Sequence, residues 1–179
     1  MMEFDKLVEV RRSVRSYQAN REISTEDLTA IVKAAQMGPT WKNSQTGRFY
    51  VVASPEKVAE LREKCLPSFN QKSTANASAY IVTCFEKKVA GHTKGMPDNE
   101  LGDEWGAYDL GLTNAYLILK AADLGLDTLI MGIRDAEGLR IMLEIPENQE
   151  VVAVISVGYR EGEPVLRPRK DTEEVARFF

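Results

Sequence analysis

The chain has 179 residues, of which 44% are hydrophobic and 28% are charged, and its formal net charge at pH 7 is −4. This length suffices for one hydrophobic core, and the acidic balance argues against the continuous basic face of a nucleic-acid-binding domain. No apolar run approaches the ~20 residues that span a bilayer, and one histidine with two cysteines offers neither a disulfide framework nor a metal-ligand cluster, so a single cytoplasmic domain over residues 1–179 is expected.

Two amphipathic helices are predicted at the start of the chain. Apolar residues recur at helical spacing over residues 4–8 and again over residues 28–35. Ser24 and Asp27 precede the second run and resemble a capping box. Each helix is expected to bury one face.

Two basic clusters stand out, one where the first helix is expected to end and one near the end of the chain. They are Arg11, Arg12, Ser13 and Arg15, and then Arg167, Arg169 and Lys170. A guanidinium group presents a planar fork of donors that fits two phosphate oxygens. If folding brings the clusters together, they form a pocket for a phosphate dianion, which points to an anionic cofactor. The alternative is that the first cluster only complements the negative end of the helix dipole.

A strand followed by a helix is predicted next. Residues 48–53 have strand character, and Ser54 and Pro55 supply an N-cap and a first-turn proline for a helix that reaches Cys65. Residues 79–85 are rich in β-branched and aromatic side chains and predict a buried strand.

Residues 86–103 are the least core-like part of the chain, because glycines, lysines and a proline interrupt every period. A loop of this length inside a compact domain is typically a functional lid or a mobile segment, and disorder is the alternative. His92, which lies in this loop, is expected to be an exposed loop residue.

The second half of the chain predicts a long helix and two further strands. Residues 104–124 are apolar at helical spacing on more than one side, and Gly125 is placed to end this central helix. Strands are predicted at residues 127–131 and 150–157, with a short helix between them.

Residues 159–179 predict an extended C-terminal arm, rich in proline, glycine and arginine as far as Lys170 and ending in one or two helical turns. Phe178 and Phe179 are poor residues to leave in water. They are therefore expected to dock on another surface, such as a partner subunit.

The phosphate pocket has to be built from side chains. The chain contains neither G-x-G-x-x-G after a strand nor G-x-x-x-x-G-K-[ST], the glycine-rich loops that hold dinucleotides and nucleoside triphosphates through their backbone. An arginine-lined pocket is the remaining way to hold the anion.

Two segments, and the order of the motifs after them, resemble the nitroreductase family of FMN-dependent oxidoreductases. The segments are Arg11-Arg12-Ser13-Val14-Arg15-Ser16-Tyr17 and Ala34-Ala35-Gln36-Met37-Gly38-Pro39-Thr40-Trp41-Lys42-Asn43-Ser44-Gln45. The later motifs are Phe69-Asn70-Gln71, Asp109-Leu110-Gly111, Leu124-Gly125-Leu126, Met131-Gly132, Gly158-Tyr159 and Arg167-Pro168-Arg169. The resemblance covers nearly the whole chain.

The resemblance implies an α+β fold, a three-layer α-β-α sandwich with a mixed, mainly antiparallel sheet around a central helix. It also implies a homodimer with FMN at the subunit interface. The implied activity is transfer of hydride from NAD(P)H to FMN and reduction of nitroaromatic, quinone or similar acceptors by a ping-pong mechanism.

The resemblance further implies roles for individual residues. Those matching the segments that hold the FMN phosphate and ribityl chain are Arg11, Arg12, Ser13, Arg15, Arg167 and Arg169. Those matching a loop that comes from the other subunit and lies beside the flavin are Pro39, Thr40, Trp41 and Asn43. Asn70 matches an asparagine facing the pyrimidine edge of the flavin, and Met131 and Gly132 match the strand end under the ring.

Several of these residues have structural alternatives. Pro39 and Asn43 are common turn residues, Trp41 could anchor a core, Gly132 could end a strand and Asn70 could cap a helix. Where many relatives carry a lysine near the flavin, this chain has Ser73 beside Lys72. The sequence therefore does not decide whether a positive charge lies at that edge of the flavin.

No catalytic side chain is predicted, because the flavin carries the redox chemistry and the protein orients it and excludes water. The alternatives are a reductive dehalogenase or another flavin enzyme on the same scaffold, and a non-catalytic flavin-binding protein. A nucleic-acid regulator is a further alternative, against which the acidic charge argues.

Overall fold

A four-stranded antiparallel sheet is the frame of the structure, a computed structural model that describes residues 3–179. Its strands are β1 (Gly47–Val52), β2 (Ala79–Glu86), β5 (Asp127–Met131) and β6 (Gln149–Gly158). They lie in the order β1-β2-β6-β5. Two short strands, β3 (His92–Thr93) and β4 (Met96–Pro97), form a separate hairpin.

Helices surround this sheet. Within residues 3–179 they are α1 (Phe4–Val10), α2 (Thr25–Gln36), α3 (Pro55–Cys65), α4 (Ser68–Ser73), α5 (Glu104–Asp123), α6 (Ala136–Leu143) and α7 (Thr172–Val175), and a 3₁₀ turn covers Trp41–Asn43. The predicted helix ends are confirmed at α2, where Ser24 Oγ accepts a hydrogen bond of 3.0 Å from the Asp27 amide. They are also confirmed after α5, where Gly125 has φ +75°. No helix of the described chain is long and apolar enough to cross a membrane.

The core is divided by the sheet into two halves. Side chains alternate along a strand, so Tyr80 and Val82 of β2 lie in one cluster and Ile81 in the other. The first cluster includes Leu61 of α3 and Leu139 of α6. The second consists largely of side chains from the sheet, α2 and α5. The predicted three-layer sandwich is therefore confirmed.

The first arginine cluster lies beyond α1, not within its last turn. Helix α1 ends at Val10, and Arg11 already has extended backbone angles of φ −62° and ψ 123°. Ser13 then forms a parallel bridge with Thr128 of β5, beside a sheet whose paired strands are antiparallel. The last turn of α1 has no basic residue, but Arg12 Nη1 donates to the carbonyl oxygens of Val8 at 3.5 Å and of Arg11 at 2.8 Å. Arg12 therefore complements the C-terminal end of α1, as the helix-dipole alternative predicts.

Three elements were not predicted from the sequence: α4, the 3₁₀ turn and the β3-β4 hairpin inside residues 86–103. The expectation for His92 is wrong as well, because only 8% of its side chain is exposed. Its Nδ1 atom lies 3.0 Å from the carbonyl oxygen of Ala90. The predicted arm forms neither helix nor strand from residue 161 to residue 171, and the single turn α7 then precedes residues 176–179.

Candidate functional site

The two basic clusters, apart from Lys170, converge on one cleft of about 550 Å³. We call it the arginine cleft; its lining includes Arg11, Arg12, Ser13 and Arg15 from the segment after α1, and Arg167 and Arg169 from the arm. Hydrogen bonds bring these segments together. The Val14 amide donates to the Thr128 carbonyl at 3.0 Å, and the Gln18 amide donates to the Tyr159 carbonyl at 2.8 Å. Both segments that line the cleft are therefore attached to the same end of the sheet, at β5 and just after β6.

The carboxylates of Glu161 and Glu163 also line the cleft, but they contact Ser16 and Arg160 and do not pair with these five arginines. Among residues 3–179 none of them has an acidic partner within 4.0 Å. Within residues 3–179, Arg12 donates to the backbone carbonyls of Arg11 at 2.8 Å and of Val8 at 3.5 Å, and Arg15 donates to that of Ser13 at 3.3 Å. Burial and the charges of Arg12 and Arg169 lower the pKa of the Arg11 guanidinium. Such a cleft is suited to a multivalent anion.

Arg160 also lines the arginine cleft and was not predicted from the sequence. Its guanidinium pairs with the carboxylate of Asp127, at 2.9 Å from Nε and 2.8 Å from Nη2. A signal was present, because Asp127 is a charged residue at the start of a buried strand and such a residue needs a partner. The sequence alone did not identify that partner.

An apolar surface is formed by the end of β5 and the residues just after it, on the C-terminal side of Thr128, which pairs with Ser13. Ile130 and Ile133 are 46% and 65% exposed, whereas Met131 is 3% exposed and packs in the core. Met131 was predicted to lie under the ring of a bound flavin. Its side chain points into the core because neighbouring strand residues face opposite ways, so the outward side chain here is that of Ile130.

Gly132 and Asn70 flank this surface. A Cβ atom added at Gly132 would meet no other atom within 4 Å, so the space above this backbone is open. Asn70 lies inside α4 and is largely buried, and its Nδ2 donates to the Ile133 carbonyl at 3.0 Å. The helix-cap alternative for Asn70 is therefore wrong. The Ser73 hydroxyl forms a hydrogen bond within its own helix, where it donates to the Phe69 carbonyl at 2.9 Å.

The loop with Pro39, Thr40, Trp41 and Asn43 does not line the arginine cleft of its own chain. It has an unusual backbone, because Lys42, Asn43 and Gln45 all have φ between 47° and 55°. Two hydrogen bonds hold it. Asp109 of α5 accepts from the Trp41 amide at 2.7 Å, and Thr40 Oγ1 accepts from the Gln45 amide at 3.1 Å. Conformations of this kind concentrate at functional sites.

The same loop is fastened to residues 86–103. Lys42 Nζ donates to Thr93 Oγ1 at 2.9 Å and to Asp98 Oδ2 at 3.1 Å. The lysine thus connects the loop to the last residue of β3 and to the residue that follows β4. The rings of Trp41 and Trp105 lie 4.7 Å apart. Trp41 is thus a packing residue at the boundary between the loop and α5.

The chain is similar to known proteins both in sequence and in fold. The sequence model of the Nitroreductase family matches residues 8–159. A protein of Archaeoglobus fulgidus, provisionally named an NADH dehydrogenase/NAD(P)H nitroreductase, is 34% identical over 91% of this chain and 88% of its own length. A protein of Exiguobacterium sibiricum, provisionally named a nitroreductase and solved in complex with FMN, has a TM-score of 0.81 at 24% identity, covering 100% of this chain and 98% of that one. A nitroreductase family protein of Streptococcus pneumoniae has a TM-score of 0.84 at 21% identity, covering 99% and 100%.

Proposed function

Because the chain belongs to the nitroreductase family, we propose that it is an FMN-dependent oxidoreductase that uses NAD(P)H. The acceptors in this proposal are nitroaromatic compounds, quinones or similar molecules, reduced by a ping-pong mechanism. The observation that carries it is the convergence of Arg11 and Arg15 with Arg167 and Arg169 on one cleft.

The residues present fit FMN in charge and in shape. The unneutralised arginines suit its phosphate, and the exposed side chains of Ile130 and Ile133 offer an apolar surface for its ring. The open space above Gly132 permits close approach of a planar group to the backbone. Asn70 Oδ1 remains an acceptor for a ring N–H, because only the amide nitrogen donates to Ile133.

FMN, when bound, supplies the redox chemistry by accepting electrons from NAD(P)H and passing them to the acceptor. The protein's part is binding and orientation. Arg11, Arg15, Arg167 and Arg169 hold the phosphate end, and Asn70 and Gly132 set the position of the ring. Residues 86–103 act as a lid, fastened through Lys42, that limits access of water and of substrates.

The proposal includes a homodimer in which the loop of residues 39–43 faces the cofactor of the second copy. Two observations support it. In a single chain this loop does not line the arginine cleft. Large apolar side chains are also left in water, among them Tyr108 on α5 at 59% exposure and Phe178 on the arm at 90%.

A cytoplasmic location completes the proposal. Both Cys65 and Cys84 are buried free thiols, as is usual for proteins of reducing compartments.

The test is a visible spectrum of the purified protein, followed by anaerobic titration with NADH and with NADPH. We expect flavin absorption bands that bleach on addition of one or both nucleotides and return on addition of a quinone or a nitroaromatic compound. Steady-state rates at several acceptor concentrations should give parallel double-reciprocal lines, the pattern of a ping-pong mechanism.

Each other outcome has a definite meaning. A colourless protein that does not bind added FMN contradicts the proposal. A flavin that neither nucleotide reduces indicates a non-catalytic flavin-binding protein. Quenching of flavin fluorescence by iodotyrosine, without reduction of quinones, indicates a dehalogenase on the same scaffold.

A further inference from the structure

The cation of Arg160 is fixed in place by a two-point ion pair. Its Nε and Nη2 atoms lie 2.9 Å and 2.8 Å from the two oxygens of the Asp127 carboxylate, and its own amide donates to Oδ2 at 3.2 Å. Nη2 also lies 3.4 Å from the carbonyl oxygen of Val10. One side chain therefore joins the start of β5, the end of β6 and the end of α1.

This arrangement distinguishes Arg160 from the other arginines of the cleft. None of the other five has an acidic partner among residues 3–179, and the bonds of Arg12 and Arg15 go to carbonyls within four residues of them. A long side chain without fixed partners loses rotamer entropy when it closes on a ligand. Arg160 has already been ordered by folding.

The pair is also poorly exposed to solvent. Only 7% of the Asp127 side chain and 30% of the Arg160 side chain are exposed. An ion pair in such a site is screened less by salt than a surface pair. Among the residues that the structure describes, the remaining nitrogen, Nη1, has one distant partner, Glu163 at 3.9 Å, whose side chain is 94% exposed.

We propose that Arg160 is a further phosphate-binding residue of the arginine cleft, held in position by Asp127. The inference rests on the proposed binding of FMN. In this site Arg160 provides a preorganised donor in the lining of the cleft, and the arginines of residues 11–15 and 167–169 close around the phosphate. Glu163 also lines the cleft, and its side chain is 94% exposed.

The experiment compares the affinity of the apoprotein for FMN with its affinity for riboflavin, which has the same ring but no phosphate. Flavin fluorescence quenching measures both dissociation constants. The variants are Arg160→Gln, Arg160→Lys and Asp127→Asn. The control is Lys57→Gln, which removes one positive charge far from the cleft, where Lys57 pairs with Glu60.

We expect Arg160→Gln to weaken FMN binding by about tenfold or more, the effect of losing a charged hydrogen bond, with riboflavin binding unchanged. Asp127→Asn should weaken FMN binding by a smaller factor, because the cation remains but is no longer fixed. Arg160→Lys should lie between the wild type and Arg160→Gln, since it keeps the charge and loses the planar fork. Lys57→Gln should leave both constants unchanged.

The result that overturns the inference is an Arg160→Gln variant that binds FMN as tightly as the wild type. Equal losses for FMN and riboflavin also overturn it, because they show a purely structural role of the ion pair. If the wild type itself binds neither flavin, the proposed function fails. Thermal unfolding of each apoprotein identifies any variant that does not fold, and in that case the comparison rests on Arg160→Lys.

Discussion

The backbone N–H of Trp41 donates a hydrogen bond of 2.7 Å to the carboxylate of Asp109, which is only 4% exposed on α5. This contact fixes the start of the loop that carries Lys42, Asn43 and Gln45 in left-handed conformations. Burial raises the pKa of Asp109, and the Trp41 amide opposes this only in part. The loop is therefore held by a carboxylate whose ionised form is disfavoured by its surroundings.

Asp109→Asn and Asp109→Ala should have different effects on stability. A pKa raised in the folded state means that Asp109 contributes stability at pH values below its unfolded value of ~3.9, and that this is lost as the pH rises through the folded value. Asparagine keeps an acceptor for the Trp41 N–H without a buried charge. The free energy of unfolding of Asp109→Asn at pH 7 should equal or exceed that of the wild type. The free energy of unfolding of Asp109→Ala should be lower by about 1–3 kcal/mol, because the Trp41 N–H is left unpaired.

Urea unfolding at a series of pH values measures this difference. The advantage of Asp109→Asn over the wild type should shrink as the pH is lowered and the aspartate becomes protonated. An asparagine variant as unstable as the alanine variant would show instead that the charge itself is needed.

Lys42→Gln should loosen the β3-β4 hairpin. The substitution replaces the ammonium group that donates to Thr93 and Asp98 with a shorter, uncharged amide, so amide hydrogen exchange in residues 92–98 should become faster. Hydrogen bonds from Thr93 and Lys42 lower the pKa of Asp98, so that pKa should rise in the variant. Lys94→Gln is the matched control, because it removes a lysine from the same hairpin. Equal exchange rates in wild type and Lys42→Gln would mean that Lys42 does not fasten the hairpin.

Helix α5 packs so closely on β2 that its Gly106 admits no side chain. A Cβ atom there would lie 2.2 Å from Cδ2 of Phe85. Gly106→Ala should therefore reduce the free energy of unfolding by about 1–3 kcal/mol, the usual cost of overpacking, although alanine favours helix formation. Denaturant unfolding measures the loss.

Phe85→Leu makes room for the added methyl group, so it provides the control. The double variant should be more stable than the sum of the two single losses predicts, with a coupling of at least about 0.5 kcal/mol. Simple additivity would show that the two residues do not oppose each other.

The long periodic elements could be predicted from the sequence, and the short ones could not. The apolar spacing of residues 104–124 and the β-branched run of residues 79–85 carry enough positions to show their period. Helix α4 has six residues, Ser68–Ser73, and the β3-β4 strands have two each. Elements of that length are stabilised by contacts with distant residues, which a local pattern does not contain.

The site was predictable in part, for a related reason. The arginines of the cleft could be found because two clusters of one residue type stand out in an acidic chain. The outward side of β5 could not, since Ile130 and Met131 are both apolar and only the sheet decides which faces the core. The Asp127–Arg160 pair depends on the register that sets Asp127 opposite Gly158.

Both cysteines should be unreactive in the folded protein. Burial raises the pKa of Cys84 to about 12 and raises that of Cys65 as well. The thiols are thus neutral near pH 8, and a thiol reagent should label neither until urea is added, when it should label both. Rapid labelling of the native protein would contradict the burial of these side chains.

The raised pKa of Cys84 also predicts a loss of stability at alkaline pH. A thiol whose folded pKa lies above its unfolded value of ~8.5 contributes stability below that pH, and this contribution disappears as the pH rises toward about 12. Urea unfolding between these limits should show a shallower decline for Cys84→Ala than for the wild type. Equal slopes would mean that the titration of other groups accounts for the decline.

Arg169→Gln should stabilise the apoprotein while it weakens FMN binding. Arg11 pairs with no carboxylate in the described part of the chain, and burial together with the charges of Arg12 and Arg169 lowers the pKa of Arg11. Removing Arg169 relieves part of this repulsion, by at most about 1 kcal/mol after allowance for solvent screening. The melting temperature of the apoprotein should therefore rise slightly at low salt, and the gain should vanish at ~1 M salt, where the screening length is ~3 Å.

The control for this prediction is Lys170→Gln, which removes the adjacent positive charge outside the residues lining the cleft. It should leave both the melting temperature and the affinity for FMN unchanged. A decrease of both quantities in Arg169→Gln would mean that Arg169 stabilises the fold. A higher melting temperature together with weaker FMN binding would instead show that the arginines repel one another in the apoprotein. The bound anion would then be what compensates for that repulsion.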